Sequence, residues 1–305
     1  MLLMDYAEAR DAFFQPRSAD AAPAGSDAWD LPGRALRHAV EPIATIHYWS
    51  EPAYDAYAAI GLDFLTGYVW SRSCVLGEPE PMVVTAAFGA FDPGAITGLY
   101  AAGRAAASLA DIRAARAEGA RTALETTIPD PDGVADVVTA LRRGVAAIDV
   151  TGRGLSAGLI GMDWPADERL QLWQACTTLR EFRGDCHLAA CVTSGIGGLE
   201  ANILTERQVG WAPLSYTGSR AWSTEAMDAA TSGLSERGLL DGDGLSDAGR
   251  ALRGEIEQAT ERQVAPVLDA IGDDLDAIVK QCTAWSQQIL DRGWFPPDAY
   301  KRASG

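Results

Sequence analysis

An arginine and a histidine interrupt an apolar helical stripe in the middle of this chain. The run from Leu170 to Glu206 is the longest helix-compatible segment of the sequence. At about 100° per residue, one face of the run carries Arg183 and His187 one turn apart among apolar side chains. Such groups are costly to bury unless they are paired. The pattern therefore predicts a polar centre on the core-facing side of this helix.

Two interpretations of the polar centre stay open. In one, Arg183 bridges helices through a carboxylate such as Glu41 or Glu200, and His187 is satisfied beside it. In the other, Arg183 holds an anionic or carbonyl group while His187 exchanges a proton, which suits a side chain with a pKa near neutrality. The second interpretation predicts a catalytic site of His187, Arg183 and Asp185.

Asp185 projects about 200° away from Arg183 on a regular helix, so the two cannot pair. We expect Asp185 to cap a helix or to pair with a neighbour such as Arg153 or Arg220. Arg72 follows an aromatic run and is either a surface arginine packed on Trp70 or an anion clamp at a pocket mouth. The predicted ligand-binding residues are Arg72, Glu41, His47, Tyr48, Tyr68, Trp173 and Glu200.

Metal and nucleotide signatures are weak in this sequence. The chain has three histidines and five cysteines without metal-type CxxC spacing, and we expect the cysteines to be buried, reduced thiols. A mixed site of His187 with Asp185 or Glu200 lacks any recognisable ligand spacing. The glycines at 195, 197 and 198 follow a helix rather than a strand, which does not fit a phosphate loop. No metal and no cofactor is therefore predicted, which leaves a metal-independent acid–base enzyme as one option.

The 305-residue chain has a net charge of −17. A charge of this sign repels nucleic acid and anionic membranes. The sequence has no uninterrupted apolar run long enough to span a bilayer, and its N-terminus does not resemble a signal peptide. We therefore expect a cytoplasmic protein that does not act at a membrane.

Helical patterns and breaks predict a mainly α, two-part protein that ends in a winged helix-turn-helix domain with a short β-hairpin wing. The wing is the acidic turn 241–244, and residues 223–237 form the would-be recognition helix. The C-terminal helices suit an interface, so a homodimer is compatible with the sequence. The predicted divisions are a flexible segment 1–27, an N-terminal helical domain 28–130 whose winged-helix likeness is left open, central helices 131–208, a C-terminal winged-helix domain with terminal helices 209–294, and a loose tail 295–305.

The predicted recognition helix is acidic. It carries Glu225, Asp228 and Glu236 against Arg237, and the wing adds further aspartates. Release of counterions from DNA cannot drive binding to a surface of this sign. The sequence therefore argues against a nucleic-acid partner.

The segments LREFRGDCH and RAWSTEAMDAATSGLSERGLLDGDGLSDAGRALR, with the earlier HAVEPIATIHYW, resemble the SalK-like helix-turn-helix proteins of actinobacteria. The resemblance covers about residues 34–270 and implies the fold, a two-part architecture and a shared polar centre. Histidines are common in that family where this chain has Ala44, Gln174 and Phe182. These departures favour an organic ligand over a metal.

The leading hypothesis is a small-molecule site between the two halves, centred on Arg183 and His187. The protein would then be a tailoring enzyme, or a ligand-binding or resistance protein, of actinobacterial specialised metabolism. The alternative is a ligand-responsive winged-helix transcriptional regulator. A DNA-repair enzyme would need a basic groove, which the net charge of −17 disfavours.

Overall fold

The molecule is mainly helical, as the sequence predicts. A computed structural model describes residues 31–130 and 132–297. A single antiparallel hairpin in this part of the chain pairs β1 (Leu240–Asp241) with β2 (Gly244–Leu245), which confirms the predicted turn. The helices are α1 (Pro32–Ala44), α2 (Ile46–Trp49), α3 (Glu51–Ala58), α4 (Phe64–Ser73), α5 (Pro81–Phe88), α6 (Pro93–Ala106), α7 (Leu109–Thr127), α8 (Val134–Ala146), α9 (Gly154–Ile160), α10 (Glu168–Thr193), α11 (Gly198–Val209), α12 (Ser215–Gly218), α13 (Thr224–Glu236), α14 (Asp247–Ile271) and α15 (Leu275–Leu290).

Short side chains with an oxygen acceptor start several of these helices. Ser50 accepts a hydrogen bond from the Ala53 amide, and Asp92 and Ser223 cap α6 and α13 in the same way. Such caps satisfy amides that have no partner inside the helix. The sequence predicts these three caps, because each signal lies within a few residues of the helix that it starts.

The central helical run is two helices rather than one. Asp167 caps α10, which ends at Thr193, and α11 begins at Gly198 after a bend of 102°. Gly195 has a φ of +67°, a conformation that favours glycine and stops a right-handed helix. The buried Ile196 fixes the connection in the core. The expectation of a continuous helix to Glu206 was wrong because the glycines that follow Ser194 form this corner.

The main core joins the first described helix to the last. α1 packs against both α10 and α15, and α8 and α14 complete the layer. Its largest contributors include Ile43, Leu141, Leu172, Trp285 and Ile289, all of them buried. The polar centre predicted on α10 therefore lies where several helices converge.

The two larger of the remaining hydrophobic clusters are separate from the main core. The first lies under α3 to α7 and α9 and is built around Trp70 and Tyr100. The second joins the end of α10, α11, α13, the hairpin and the start of α14. α10 contributes to both the main core and this last one, so it connects the α13 region to the rest of the protein.

Some predictions concern the ends of the chain or membrane crossing. The segment 1–27 lies outside the described residues, as do 298–305. The expectation of a loose tail from residue 295 was wrong at its start, because Phe295 is buried in the main core. Among the described helices, none is by itself long and apolar enough to cross a bilayer; α10 and α11 meet that test only together, across their bend.

Candidate functional site

A cleft with a volume of about 50 Å³, partly open to solvent, lies between α4, α5, the α5–α6 connection and α10. We call it the Asp185 cleft. Its charged lining residues are Arg72, Arg180, Asp185 and Arg220, and its aromatic lining residues are Tyr68, Phe88 and Phe91.

Helical spacing places the lining residues on common faces. Arg180, Gly184 and Leu188 follow one another at four-residue intervals along α10, with Asp185 beside them. Tyr68 and Arg72 have the same spacing on α4. Residues four apart on a helix lie on one side of it, so two helices supply most of the polar wall.

Asp185 is buried and pairs with no arginine in the described part of the chain. Its Oδ2 accepts hydrogen bonds from the amide of Ser156, at 3.0 Å, and from the hydroxyl of Ser156, at 2.8 Å. Burial raises the pKa of Asp185 to about 6, and the nearby Glu181 carboxylate adds to the rise. Of the two expectations for Asp185, pairing with Arg153 or Arg220 was wrong, whereas the cap is confirmed because Ser156 lies in the first turn of α9. A carboxyl with this pKa can take up and release a proton near neutral pH.

Glu181 holds the two arginines of the cleft wall. Arg72 binds it in two places, from Nε to Oε1 at 3.0 Å and from Nη2 to Oε2 at 2.9 Å. Arg180 donates to Oε1 at 2.8 Å. Burial alone would raise the pKa of Glu181, but Arg180 and Arg72 outweigh it and lower the pKa to about 2. The wall is therefore a fixed, ionised cluster rather than a set of mobile charges.

Aromatic rings form the apolar side of the cleft. Phe91 lies 5.9 Å from Tyr68 and 6.3 Å from Phe88 between ring centroids. The Arg72 guanidinium lies 4.5 Å from the centre of the Phe88 ring. Cations over aromatic faces are held by the charge distribution of the ring. The cleft thus offers an apolar surface bordered by fixed cations.

Arg220 closes the cleft from the segment that precedes α13. The backbone oxygen of Arg220 accepts from the Asp92 amide at 3.0 Å, and Trp222 Nε1 donates to the Ala90 oxygen at 3.1 Å. Ala221, between them, has a φ of +64°. These bonds fasten the segment to the α5–α6 connection, so a distant part of the sequence reaches the cleft.

Arg183 and His187 face a different neighbour. Arg183 donates to Glu257 on α14 at 2.8 Å, and Arg34 pairs with the same carboxylate at 2.9 Å. His187 Nδ1 lies 3.3 Å from the Thr260 hydroxyl and 4.0 Å from Glu257. Neither residue lines the Asp185 cleft. The partner of Arg183 is thus neither Glu41 nor Glu200. Arg183 nevertheless bridges two helices through a carboxylate, as one of the two interpretations expects.

Burial lowers the pKa of His187 to about 3, against an opposing effect of Glu257. The imidazole is therefore neutral at pH 7. The expectation that the pKa of His187 lies near neutral pH was wrong. Packing against α14 removes the ring from water, and the arginines around Glu257 disfavour a further positive charge.

Most of the other predicted ligand-binding residues lie beneath the cleft or away from it. Tyr48 donates to Glu181 at 3.4 Å and lies behind Tyr68. Glu41 pairs with Arg37 and Arg180 and is 2% exposed. Of the predicted ligand-binding set, Arg72 and Tyr68 line the cleft.

The remaining three residues have structural contacts. Trp173 donates to Nδ1 of the fully buried His47 at 3.1 Å. Glu200 accepts from the Gly197 amide at the start of α11 and pairs with Arg237. In the described residues, no group of three or more histidine, cysteine, aspartate or glutamate side chains is placed to hold a metal ion.

A comparison with protein families gives a match over most of the chain. The profile of a helix-turn-helix family matches residues 33–296. The chain belongs to this helix-turn-helix family. Comparisons with curated proteins and with solved structures found no match.

The family membership directs attention to α13 and the hairpin after it. In this helix-turn-helix protein, Glu225, Asp228 and Glu236 are exposed on α13, and Asp241 and Asp243 are exposed on the hairpin. A surface of this charge does not attract a phosphate backbone. Family membership alone does not establish function, which depends on the site.

Sequence reasoning did not assign four lining residues to the cleft of this helix-turn-helix protein, namely Phe88, Phe91, Arg180 and Arg220, nor Glu181, which pairs with Arg180 and Arg72. Arg180 and Glu181 belong to the quoted LREFRGDCH segment, so its pattern of alternating charges was an available signal. Phe88, Phe91 and Arg220 carry no local signal, because the cleft brings them together from distant segments.

Proposed function

We propose that this protein binds a small organic molecule in the Asp185 cleft. The observation that carries the proposal is the combination, in one solvent-accessible cleft, of an ionisable carboxyl, three guanidinium groups and an aromatic surface. Few precisely held polar groups beside a larger apolar surface are typical of ligand sites. The cleft lies against the side of α10 that carries Asp185, not against the side that carries Arg183 and His187. In this proposal Asp185, rather than His187, exchanges a proton.

An enzyme built on this cleft would use Asp185 as its general acid or base. Its pKa of about 6 lies near the pH at which such a group works best. Arg72 and Arg180 would stabilise negative charge that develops on the ligand, since Glu181 already fixes their positions. A binding or resistance protein needs the same cleft without the proton transfer.

The finer assignment follows from the sequence motifs. We assign the chain to the SalK-like actinobacterial group on the LREFRGDCH segment, with a role in specialised metabolism. The order α11, α13, β1–β2 and α14 around a shared core supports a C-terminal winged helix. A cytoplasmic location and a homodimer remain part of this proposal.

The direct test is a substitution whose side chain fills the cleft. Gly184 lines it, and a side chain at this position has room to project into the cavity. Gly184→Leu should abolish stabilisation by any ligand of the cleft, whereas Gly254→Leu, at an exposed and open position on α14, should preserve it. A thermal-shift screen of small organic compounds on the wild-type protein and both variants measures this. Hits that stabilise Gly184→Leu as much as wild type would overturn the proposal, and so would a screen without hits.

A ligand-responsive regulator is the second candidate. Arg220 in the cleft wall lies three residues before Ser223, which caps α13, so a bound ligand would contact the segment that positions this helix. The acidic surface of α13 opposes direct contact with DNA. An electrophoretic mobility shift with the upstream DNA at about 50 mM salt separates the candidates, because salt this low favours even weak binding. A sequence-specific shift would support the regulator, and no shift would support the small-molecule-binding protein.

A further inference from the structure

Among the described residues, Arg220 is a cation without a carboxylate partner. Arg72 and Arg180 both reach Glu181, and Arg180 also reaches Glu41. No acidic side chain within the described residues pairs with Arg220. Asp185, the acidic residue that lines the same cleft, bonds to Ser156 instead. One guanidinium at the cleft is therefore not neutralised by any acidic side chain that the structure describes.

Arg220 is also held in place before any ligand arrives. Its Nη2 donates to the Tyr216 hydroxyl at 2.7 Å, and its Nη1 donates to the Ser219 hydroxyl at 3.2 Å. The guanidinium lies 4.1 Å from the centre of the Tyr216 ring and 5.0 Å from that of Phe91. A guanidinium has more donors than these two bonds use, and its planar fork fits a carboxylate or phosphate. Such a pre-organised group loses little side-chain entropy when it binds an anion.

The surface next to Arg220 fits a flat, apolar group. Phe91 lies under the guanidinium, and Phe88 and Tyr68 continue the aromatic surface into the cleft. Aromatic rings prefer offset-stacked or edge-to-face partners, which a planar ligand can supply. The cation and the rings are adjacent, so a single small molecule can contact both.

We propose that the ligand of the Asp185 cleft is an organic anion with a planar aromatic or conjugated body, whose carboxylate or phosphate pairs with Arg220. The inference rests on the proposed function and narrows it to one chemical class. The anion contacts the wall contributed by the segment before α13, and the planar body lies against Phe88 and Phe91.

Isothermal titration calorimetry with matched probes tests this class. The probes are 1-naphthoate, its neutral analogue 1-naphthamide, and 1-naphthyl phosphate. At least one of the two anions should bind about tenfold more tightly than the amide, since charge-assisted hydrogen bonds are stronger than neutral ones. Whichever anion binds more tightly identifies the preferred head group. Equal affinity for the amide and both anions, or no binding of any probe, would overturn the ligand class.

Variants at Arg220 locate the contact. Arg220→Gln should weaken the preferred anion about tenfold and leave the amide unchanged, and Arg220→Lys should restore part of the loss by retaining the charge. Arg262→Gln removes an exposed arginine on α14 that does not line the cleft, so it should change neither affinity. Circular dichroism melts show whether each variant is folded. If Arg220→Gln is folded and binds the anion as wild type does, the proposal is wrong.

The Gly184→Leu variant separates this inference from the proposed function. If the amide binds as tightly as the anions and Gly184→Leu abolishes that binding, the cleft is a ligand site and only the anionic class fails. If probes bind and Gly184→Leu affects none of them, the cleft proposal fails together with the class.

Discussion

At the scale of single residues, Asp185 links the cleft to the stability of the protein. Its pKa is about 6 in the folded chain, against an ordinary value of 3.8, because burial disfavours the charged form. The folded state thus binds this proton more tightly than the unfolded state does. The stability from Asp185 is fully present below pH 4, declines as the pH rises towards 6, and stays low above that.

The effect of Asp185→Asn on the free energy of unfolding, relative to wild type, should therefore become more stabilising as the pH rises. Relative to wild type, the free energy of unfolding of the variant should increase by about 2–3 kcal/mol between pH 4 and pH 8, since one pKa unit corresponds to about 1.4 kcal/mol. Urea unfolding across this pH range measures the difference. Asp241→Asn on the exposed hairpin is the control and should not follow this curve. A difference for Asp185→Asn that does not vary with pH would contradict the assigned burial effect.

Glu181 is the residue on which the cleft wall depends. It is 2% exposed and pairs with both Arg72 and Arg180. Glu181→Gln leaves these guanidiniums buried with less compensation, which costs about 3–5 kcal/mol for a buried pair that loses one partner. Glu118→Gln, in an exposed pair with Arg121, should cost less than about 1 kcal/mol. Urea unfolding at pH 7 compares the two, and equal losses would show that the buried network adds no stability.

At the scale of elements, the corner between α10 and α11 fits closely against the α5–α6 connection. A Cβ added at Gly198 would lie 1.7 Å from the backbone oxygen of Gly89, which no flexible side chain can relieve. The neighbouring Ala90 and Phe91 line the cleft. The absence of a side chain at Gly198 therefore lets the two segments meet beside the ligand site.

Gly198→Ala should separate these segments and destabilise the protein by about 2 kcal/mol or more, the range of overpacking in a tight contact. Gly233→Ala on α13 meets open space and should instead stabilise by about 0.5–1 kcal/mol, because alanine favours helix. Thermal unfolding ranks the two variants against wild type. If Gly198→Ala melted at the wild-type temperature, the close contact with Gly89 would be refuted.

Individual helices and turns can be predicted from the sequence more reliably than the contacts between them. The caps at Ser50, Asp92 and Ser223 and the hairpin could be predicted because each depends on adjacent residues. The corner after Thr193 was missed, although its glycines were visible, because glycine is tolerated inside helices as well as at their ends.

The candidate site was predictable only in part for the same physical reason. Asp185, Arg72 and Tyr68 were identified from their types and positions, and all three line the cleft. Arg220 was not assigned to the site, because its place there depends on backbone bonds to residues more than a hundred positions earlier. His187 was assigned to the site but does not line the cleft, and its contact with Thr260 on α14 joins residues 73 positions apart in the chain.

At the scale of the whole molecule, the main core unites the two ends of the described chain. Ile278, Cys282, Trp285 and Ile289 form one face of α15, at spacings of three and four residues, and are buried against the main core. The Ser286 hydroxyl donates to the Ala39 oxygen on α1 at 2.6 Å. The predicted divisions at 130 and 208 stay predictions about independent folding, and this shared core argues that their parts fold together.

A chain that ends at Asp274 tests this directly. It lacks α15, so the apolar residues of α1 that pack on that helix would become exposed to water. We expect the shortened chain to lose its cooperative thermal transition, as measured by circular dichroism, and to aggregate in size-exclusion chromatography.

A milder form of the same change is Trp285→Ala, which should lower the free energy of unfolding by about 3–5 kcal/mol as a large core truncation. Lys280→Ala, on the exposed side of the same helix, should leave stability nearly unchanged. If the chain ending at Asp274 kept a cooperative melt, the N-terminal and central helices would form a domain that does not need the C-terminal helix.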